Sequence, residues 1–191
     1  MKAVFGLGNP GRRYTLTRHN VGFAAVDLYR KVHRLRRAGR IQGDCIVYRT
    51  DDLFLCKPLT YMNESGSTVA AVLARHGISL QDTLIIYDEL DLPLGRVKIL
   101  AGGGPGTHKG MKSVVSALGT TEIPRLRIGI EVEERTKPGE SFVLEKFTPD
   151  EWARVVPALE CAVDAIDLYR TSDLEAVMTR FNRRDEPGCR S

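Results

Sequence analysis

The chain has 191 residues, 42% of them hydrophobic and 27% charged, a balance that fits one compact domain with a sizeable core and leaves no room for repeats or low-complexity stretches. No run approaches the roughly 18 apolar residues of a membrane span, and no signal-like segment opens the chain, so a soluble, cytoplasmic protein is expected. The net charge of +4 is unevenly spread: residues 1–130 hold 19 Lys/Arg against 10 Asp/Glu, and residues 131–191 hold 9 against 14, which marks either one face built for a polyanion or charges that simply solvate helix faces.

Residues 2–7 read as a buried parallel strand that runs into GLGNPG, residues 6–11. This spells the GxGxxG of a dinucleotide turn, but the context fails. Pro10 lacks an amide where phosphate needs one, RRYTLTRHN reads as a loop rather than a helix start, and the ribose-binding acid is replaced by a basic stretch. VGFAAVDLYRKVHRLR then carries Val21, Ala24, Ala25, Leu28, Val32 and Leu35 at helical spacing. CIVYRTDDLFLCKP reads as two strands around a turn, and VAAVLARHG as a helix capped by Gly77, with Asn63 as a candidate N-cap before it. TLIIYDEL is a short buried strand that ends near Asp88, RVKIL another strand, and GGGPGTHKG a glycine-rich loop before the helix MKSVVSALG. RLRIGIEV and SFVLEKF read as strands. Thr148, Pro149 and Glu151 form a capping-box start for a helix reaching Tyr169 and bent at Pro157, and residues 183–191 read as a flexible tail. The pattern predicts a single α/β domain, a mixed, mostly parallel twisted sheet flanked by helices on both faces, with its ligand site at the loops after Leu7, Pro58, Tyr87 and Leu100.

His19 lies in one of those loops, and Asp88 at the end of its strand is either the carboxylate that would fix an imidazole's tautomer or, with Glu89 and Asp91, an acid that caps a turn or pairs with a surface lysine. No serine elbow exists, and the four cysteines show no CxxC, so a water activated by His19 is the simpler hydrolytic mechanism. No HxxxH or HExxH spacing occurs, which argues against a histidine-based metal site. The amide of Asn63 is suited to gripping a peptide main chain or a water. The glycine loop has no GK[ST], and nucleotide hydrolysis loses weight with it.

Taken in order and spacing, FGLGNPGRRYTLTRHNVGF, KPLTYMNESG, YDELDLPLG, GGGPGTHKGMKS and RLRIGI resemble the bacterial-type peptidyl-tRNA hydrolases over nearly the whole chain. The resemblance implies hydrolysis of the ester between a peptide and the 3′-terminal ribose of tRNA by a monomer without metal or organic cofactor. On the matching positions His19 is the general base and Asp88 orients it. Asn9 serves both catalysis and binding. Tyr14, Tyr61, Met62, Asn63, His108 and Lys109 bind substrate, and Arg127 holds a tRNA phosphate. Two positions depart from the family pattern. Leu100 stands where a lysine partner of Arg127 is usual, with Lys98 on the same strand face as the substitute, and Lys109 replaces an asparagine whose amide both donates and accepts.

Two other readings compete. One is a catalytically silent RNA-binding relative of the same fold, with Lys109 as its best support. The other is a metal-dependent phosphoryl-transfer enzyme that uses Asp88, Glu89 and Asp91 as ligands. The basic cluster Arg34, Arg36, Arg37 and Arg40 is either an extension of an RNA face or ordinary solvated charge.

Overall fold

The protein is described by a computed structural model covering residues 1–35, 39–133 and 135–182. The expected tail at 183–191, together with Arg36 and Arg37 of the basic cluster, lies outside the described residues. Seven strands form one sheet: β1 (Lys2–Gly6), β2 (Arg40–Gln42), β3 (Cys45–Arg49), β4 (Leu53–Pro58), β5 (Thr83–Pro93), β6 (Val97–Leu100) and β7 (Arg125–Glu131), in the spatial order β2-β3-β4-β1-β5-β7-β6. The pairs β1 with β4, β1 with β5, and β5 with β7 are parallel. Antiparallel pairing is confined to the flanks, where β3 and β6 oppose the common direction. The expected mixed, mostly parallel sheet is therefore present.

Side chains alternate across it. Val4 of β1 joins the core cluster under α1 (Val21–Val32), α5 (Pro149–Thr171) and α6 (Leu174–Phe181), while Ala3 and Phe5 join the opposite cluster under α2 (Ser65–His76) and α3 (Lys109–Leu118). Both faces are thus covered by helices. The glycines of GLGNPG serve this packing. A Cβ at Gly6 would run into the Gly22 carbonyl of α1, and one at Gly8 would meet the Phe23 ring at 2.6 Å. Gly11, at φ 103°, turns the chain beyond them.

The structure corrects several expectations. SFVLEKF is not a strand: it is a single turn, α4 (Gly139–Phe142), followed by a bridge of Lys146 to Thr17. The loop RRYTLTRHN contains two 3-10 turns, Arg12–Tyr14 and Arg18–Asn20. Asn63 is not an N-cap, because it lies inside the 3-10 turn Met62–Glu64 and Glu64 precedes α2. β5 runs past Asp88 to Pro93, although its regular pairing with β7 breaks after Glu89. Leu100 pairs with Arg125 at the start of β7, so the glycine loop leaves the sheet at the end opposite Asp88 and travels back along it. The Thr148 capping box forms as expected, and α5 continues as one 23-residue helix through Pro157. Among the described residues no helix is long and apolar enough to cross a membrane.

Candidate active site

His19 is fixed by chain segments far from it in sequence. Its backbone N–H donates to the Val143 carbonyl at 2.8 Å and that of Arg18 to Glu145 at 3.0 Å. The Arg18 guanidinium, only 4% exposed, donates to both carboxylate oxygens of Glu151 at 2.7 Å and lies 4.0 Å from the Phe142 ring centre. Glu151 also accepts the Thr148 N–H at 2.8 Å, so the cap of α5 and the anchor of the histidine turn share one carboxylate.

On its other side His19 meets β5. Its Nδ1 lies 2.9 and 3.0 Å from the two Asp88 oxygens, and His108 Nε2 approaches the first of these oxygens at 2.9 Å. His108 is the N-cap of α3, and its Nδ1 accepts the Met111 N–H at 3.1 Å. That bond places the His108 proton on Nε2, where it donates to Asp88. Since a carboxylate only accepts, His19 carries its proton on Nδ1 and leaves Nε2 as a lone pair in the cleft it lines. Asp88 is 2% exposed. Burial alone would push its carboxyl up, but the positive charge that His19 and His108 carry once protonated, together with their hydrogen bonds, outweighs it and holds the group well below the usual carboxylate range.

A second amide pair forms the floor. Asn20 Oδ1 accepts the Asn9 N–H at 2.8 Å, and Asn20 Nδ2 donates to the Asn9 carbonyl at 2.9 Å. Asn9 Oδ1 accepts the Met62 N–H at 2.8 Å, which leaves the Asn9 NH2 group as a donor toward the cleft. The cleft, about 670 Å³, gathers Asn9, Tyr14, His19, Tyr61, Met62, Asn63, Asp88, His108 and Lys109. The expected loops after Leu7, Pro58 and Leu100 contribute to it, and the stretch after Tyr87 contributes as the far part of β5 rather than as a loop.

The opposite wall was not legible in the sequence. Val143 and Leu144, from the segment expected to be a strand, and Glu140 just before it close that side with Leu90. Lys109, first residue of α3, pairs with Glu140 at 3.0 Å. A lysine there opposes the helix dipole, and Glu140 offsets it. Arg18 and Asn20 stand out in the sequence as polar neighbours of His19, and the contacts give them their roles.

Arg127 and Lys98 lie outside the cleft lining, directly opposite each other on β7 and β6. Arg127 donates to the Tyr87 hydroxyl at 2.9 Å and pairs with Glu89 at 3.1 Å. Lys98 is exposed. Leu100 faces Arg125, whose buried guanidinium is satisfied by the carbonyls of Gly104, Thr121 and Ile123. Asp88, Glu89 and Asp91 do not form a ligand set. Among the described residues the one group able to hold a metal is His19, Asp88 and His108, with ligand atoms within 4.8 Å of one another. No spacing motif announces it. Its atoms are already committed to mutual hydrogen bonds that a metal would displace.

The family model described as peptidyl-tRNA hydrolase matches residues 3–188. A peptidyl-tRNA hydrolase of Chloroflexus aggregans is 41% identical over 186 residues, covering 95% of this chain and 99% of that protein. One from Geobacillus thermodenitrificans is 39% identical, covering 95% and 100%. Among solved structures, the peptidyl-tRNA hydrolase of Acinetobacter baumannii superimposes with a TM-score of 0.88 at 30% identity, covering 96% of this chain and 95% of that one. The fold, the cleft and these likenesses agree: the chain belongs to the peptidyl-tRNA hydrolase family.

Proposed function

We propose that the protein is an esterase that hydrolyses the bond between a peptide and the 3′-terminal ribose of tRNA, with water activated by His19. The observation that carries this reading is the buried His19 to Asp88 contact at 2.9 Å, which leaves the second imidazole nitrogen free in the cleft. Water adds to the ester carbonyl carbon as its proton passes to His19 Nε2. The tetrahedral intermediate collapses, the bond to the ribose oxygen breaks, and the imidazolium returns a proton to that oxygen. Asp88 stabilises the imidazolium and His108 orients Asp88. The NH2 groups of Asn9 and Asn63 donate to the peptide carbonyls and to the developing oxyanion, where preorganised donors are worth most. Tyr14, Tyr61 and Met62 line the peptide path. Contacts of this kind grip the main chain, which every peptide shares.

Outside the cleft, exposed Lys98 and the tethered Arg127 meet the tRNA phosphate, and Lys98 serves in place of the lysine missing at Leu100. The protein acts as a monomer in the compartment of translation, on this reading.

The test is release of free peptide from a peptidyl-tRNA in the presence of a chelator, beside the His19→Ala variant. Turnover in the variant should fall roughly 10² to 10⁴-fold with RNA affinity spared. Tight RNA binding without release by either protein would make the chain a silent RNA-binding relative. Release that stops in chelator would move the chemistry to a metal held by His19, Asp88 and His108.

A further inference from the structure

We infer that the β2 edge of the sheet carries a second RNA-backbone site, separate from the catalytic cleft. A groove of about 920 Å³ lies between the end of α1, the β2–β3 hairpin and the turn after β3, and it shares no lining residue with the cleft. Exposed Arg34, Arg40 and Arg49 line it, with Asp51 as the single acid. None of the three arginines has an acidic partner among the described residues, whereas Arg18, Arg127, Arg135 and Arg170 are each held by a carboxylate. Tyr48 forms one wall, the Arg30 guanidinium sits 5.8 Å from its ring centre, and the Arg30 Nε is buried without a hydrogen bond.

The backbone adds an independent observation. Arg34 follows α1 at φ 51°, in the left-handed region where glycine or asparagine would sit without strain, and Leu35 N–H closes the helix end on the Arg30 carbonyl at 3.0 Å. A long cation is kept where a small residue fits better. Forked guanidiniums match phosphate oxygens in pairs, and several along one groove suit a chain of phosphates rather than a single anion.

The position separates this groove from the Lys98 and Arg127 contact. β2 and β6 are the two edges of the sheet, six strand spacings of about 4.8 Å apart, or about 29 Å. One phosphate cannot touch both. The inference rests on the reading above only in naming RNA as the polyanion.

The experiment compares the native protein with a variant carrying Arg34→Asn, Arg40→Gln and Arg49→Gln, and with one in which all three are lysine. Affinity for deacylated tRNA and for an unrelated RNA duplex is measured across a salt series, and hydrolysis is followed on a short peptidyl-nucleoside ester. The neutral variant should lower the slope of log Kd against log salt by about two to three, the lysine variant should keep it, and ester hydrolysis should stay unchanged. A loss confined to tRNA identifies the substrate's own body as the occupant; a loss with both RNAs identifies a general backbone contact. Unchanged slopes with both RNAs overturn the inference. If the triple variant fails to fold, Arg40→Gln alone is scored, with an expected fall of about one. Absence of hydrolysis by the native protein alongside a reduced slope would sink the enzymatic reading and leave this one standing.

Discussion

Asp88 is the residue on which the site turns, because it receives a proton donor from each of two histidines. Replacing it with asparagine removes the charge that stabilises the His19 imidazolium in the proposed mechanism and lets the ring adopt the other tautomer. Turnover should drop steeply, and the double variant with His19→Ala should lose little beyond the single His19 change, since the two act as a unit. Independent, additive losses measured in steady state would separate the pair. The carboxyl is depressed below its ordinary 3.8 in the folded protein, so its stabilising contribution is fully present above that value and is lost only as the pH falls below it, through the folded value. Acid unfolding monitored by circular dichroism should therefore show a steeper stability loss below about pH 4 in the native protein than in Asp88→Asn. Lys109 makes a different case. Its bond to Glu140 joins two exposed groups, which contribute little to stability, yet both line the cleft. Lys109→Asn should leave the melting temperature unchanged while altering KM or kcat. Kinetics identical to the native protein would remove any special role for the lysine.

At the scale of elements, the His19 turn is held by the α4 turn and the cap of α5 rather than by its neighbours in sequence. Arg18→Gln breaks a buried, charged anchor and leaves Glu151 with only its capping bonds, a change worth about 1–3 kcal/mol. Thermal melts should record that loss, and kcat should fall with it as the imidazole loses its fixed position. A lowered melting temperature with native kcat would reduce the anchor to a stabilising role.

Much of this arrangement was legible beforehand. The four parallel strands announce themselves as short apolar runs, Thr148, Pro149 and Glu151 write a helix start in three residues, Asn9, His19 and Asn63 stand out as polar residues in the loops that follow β1 and β4, and Asp88 as an acid at the end of an apolar run. Residues 141–147 were misread for a physical reason. Phe142, Val143 and Phe147 are buried, but the chain there must turn so that the carbonyls of Val143 and Glu145 reach the histidine turn. Apolar content says that a segment is buried, not that it pairs in a sheet. The bonds of Asp88 to His108 and of Arg18 to Glu151 span 20 and 133 residues, and no local pattern encodes partners at such separations.

Over the whole molecule, the basic excess of residues 1–130 sets the expected response to salt. Affinity for RNA should weaken by orders of magnitude as ionic strength rises, while turnover at saturating substrate changes little, because the reacting groups are buried from the screening ions. Filter binding and single-turnover kinetics across one salt series would separate the two. The long reach of the histidine anchor also bears on how the protein is made. Translation delivers His19 early, but Val143, Glu145 and Glu151, which hold its turn, emerge only after three quarters of the chain. An unfinished chain on the ribosome therefore carries its own histidine unmounted. It is still attached to a tRNA by an ester of the class its family hydrolyses, and its histidine is mounted only once Glu151 has followed.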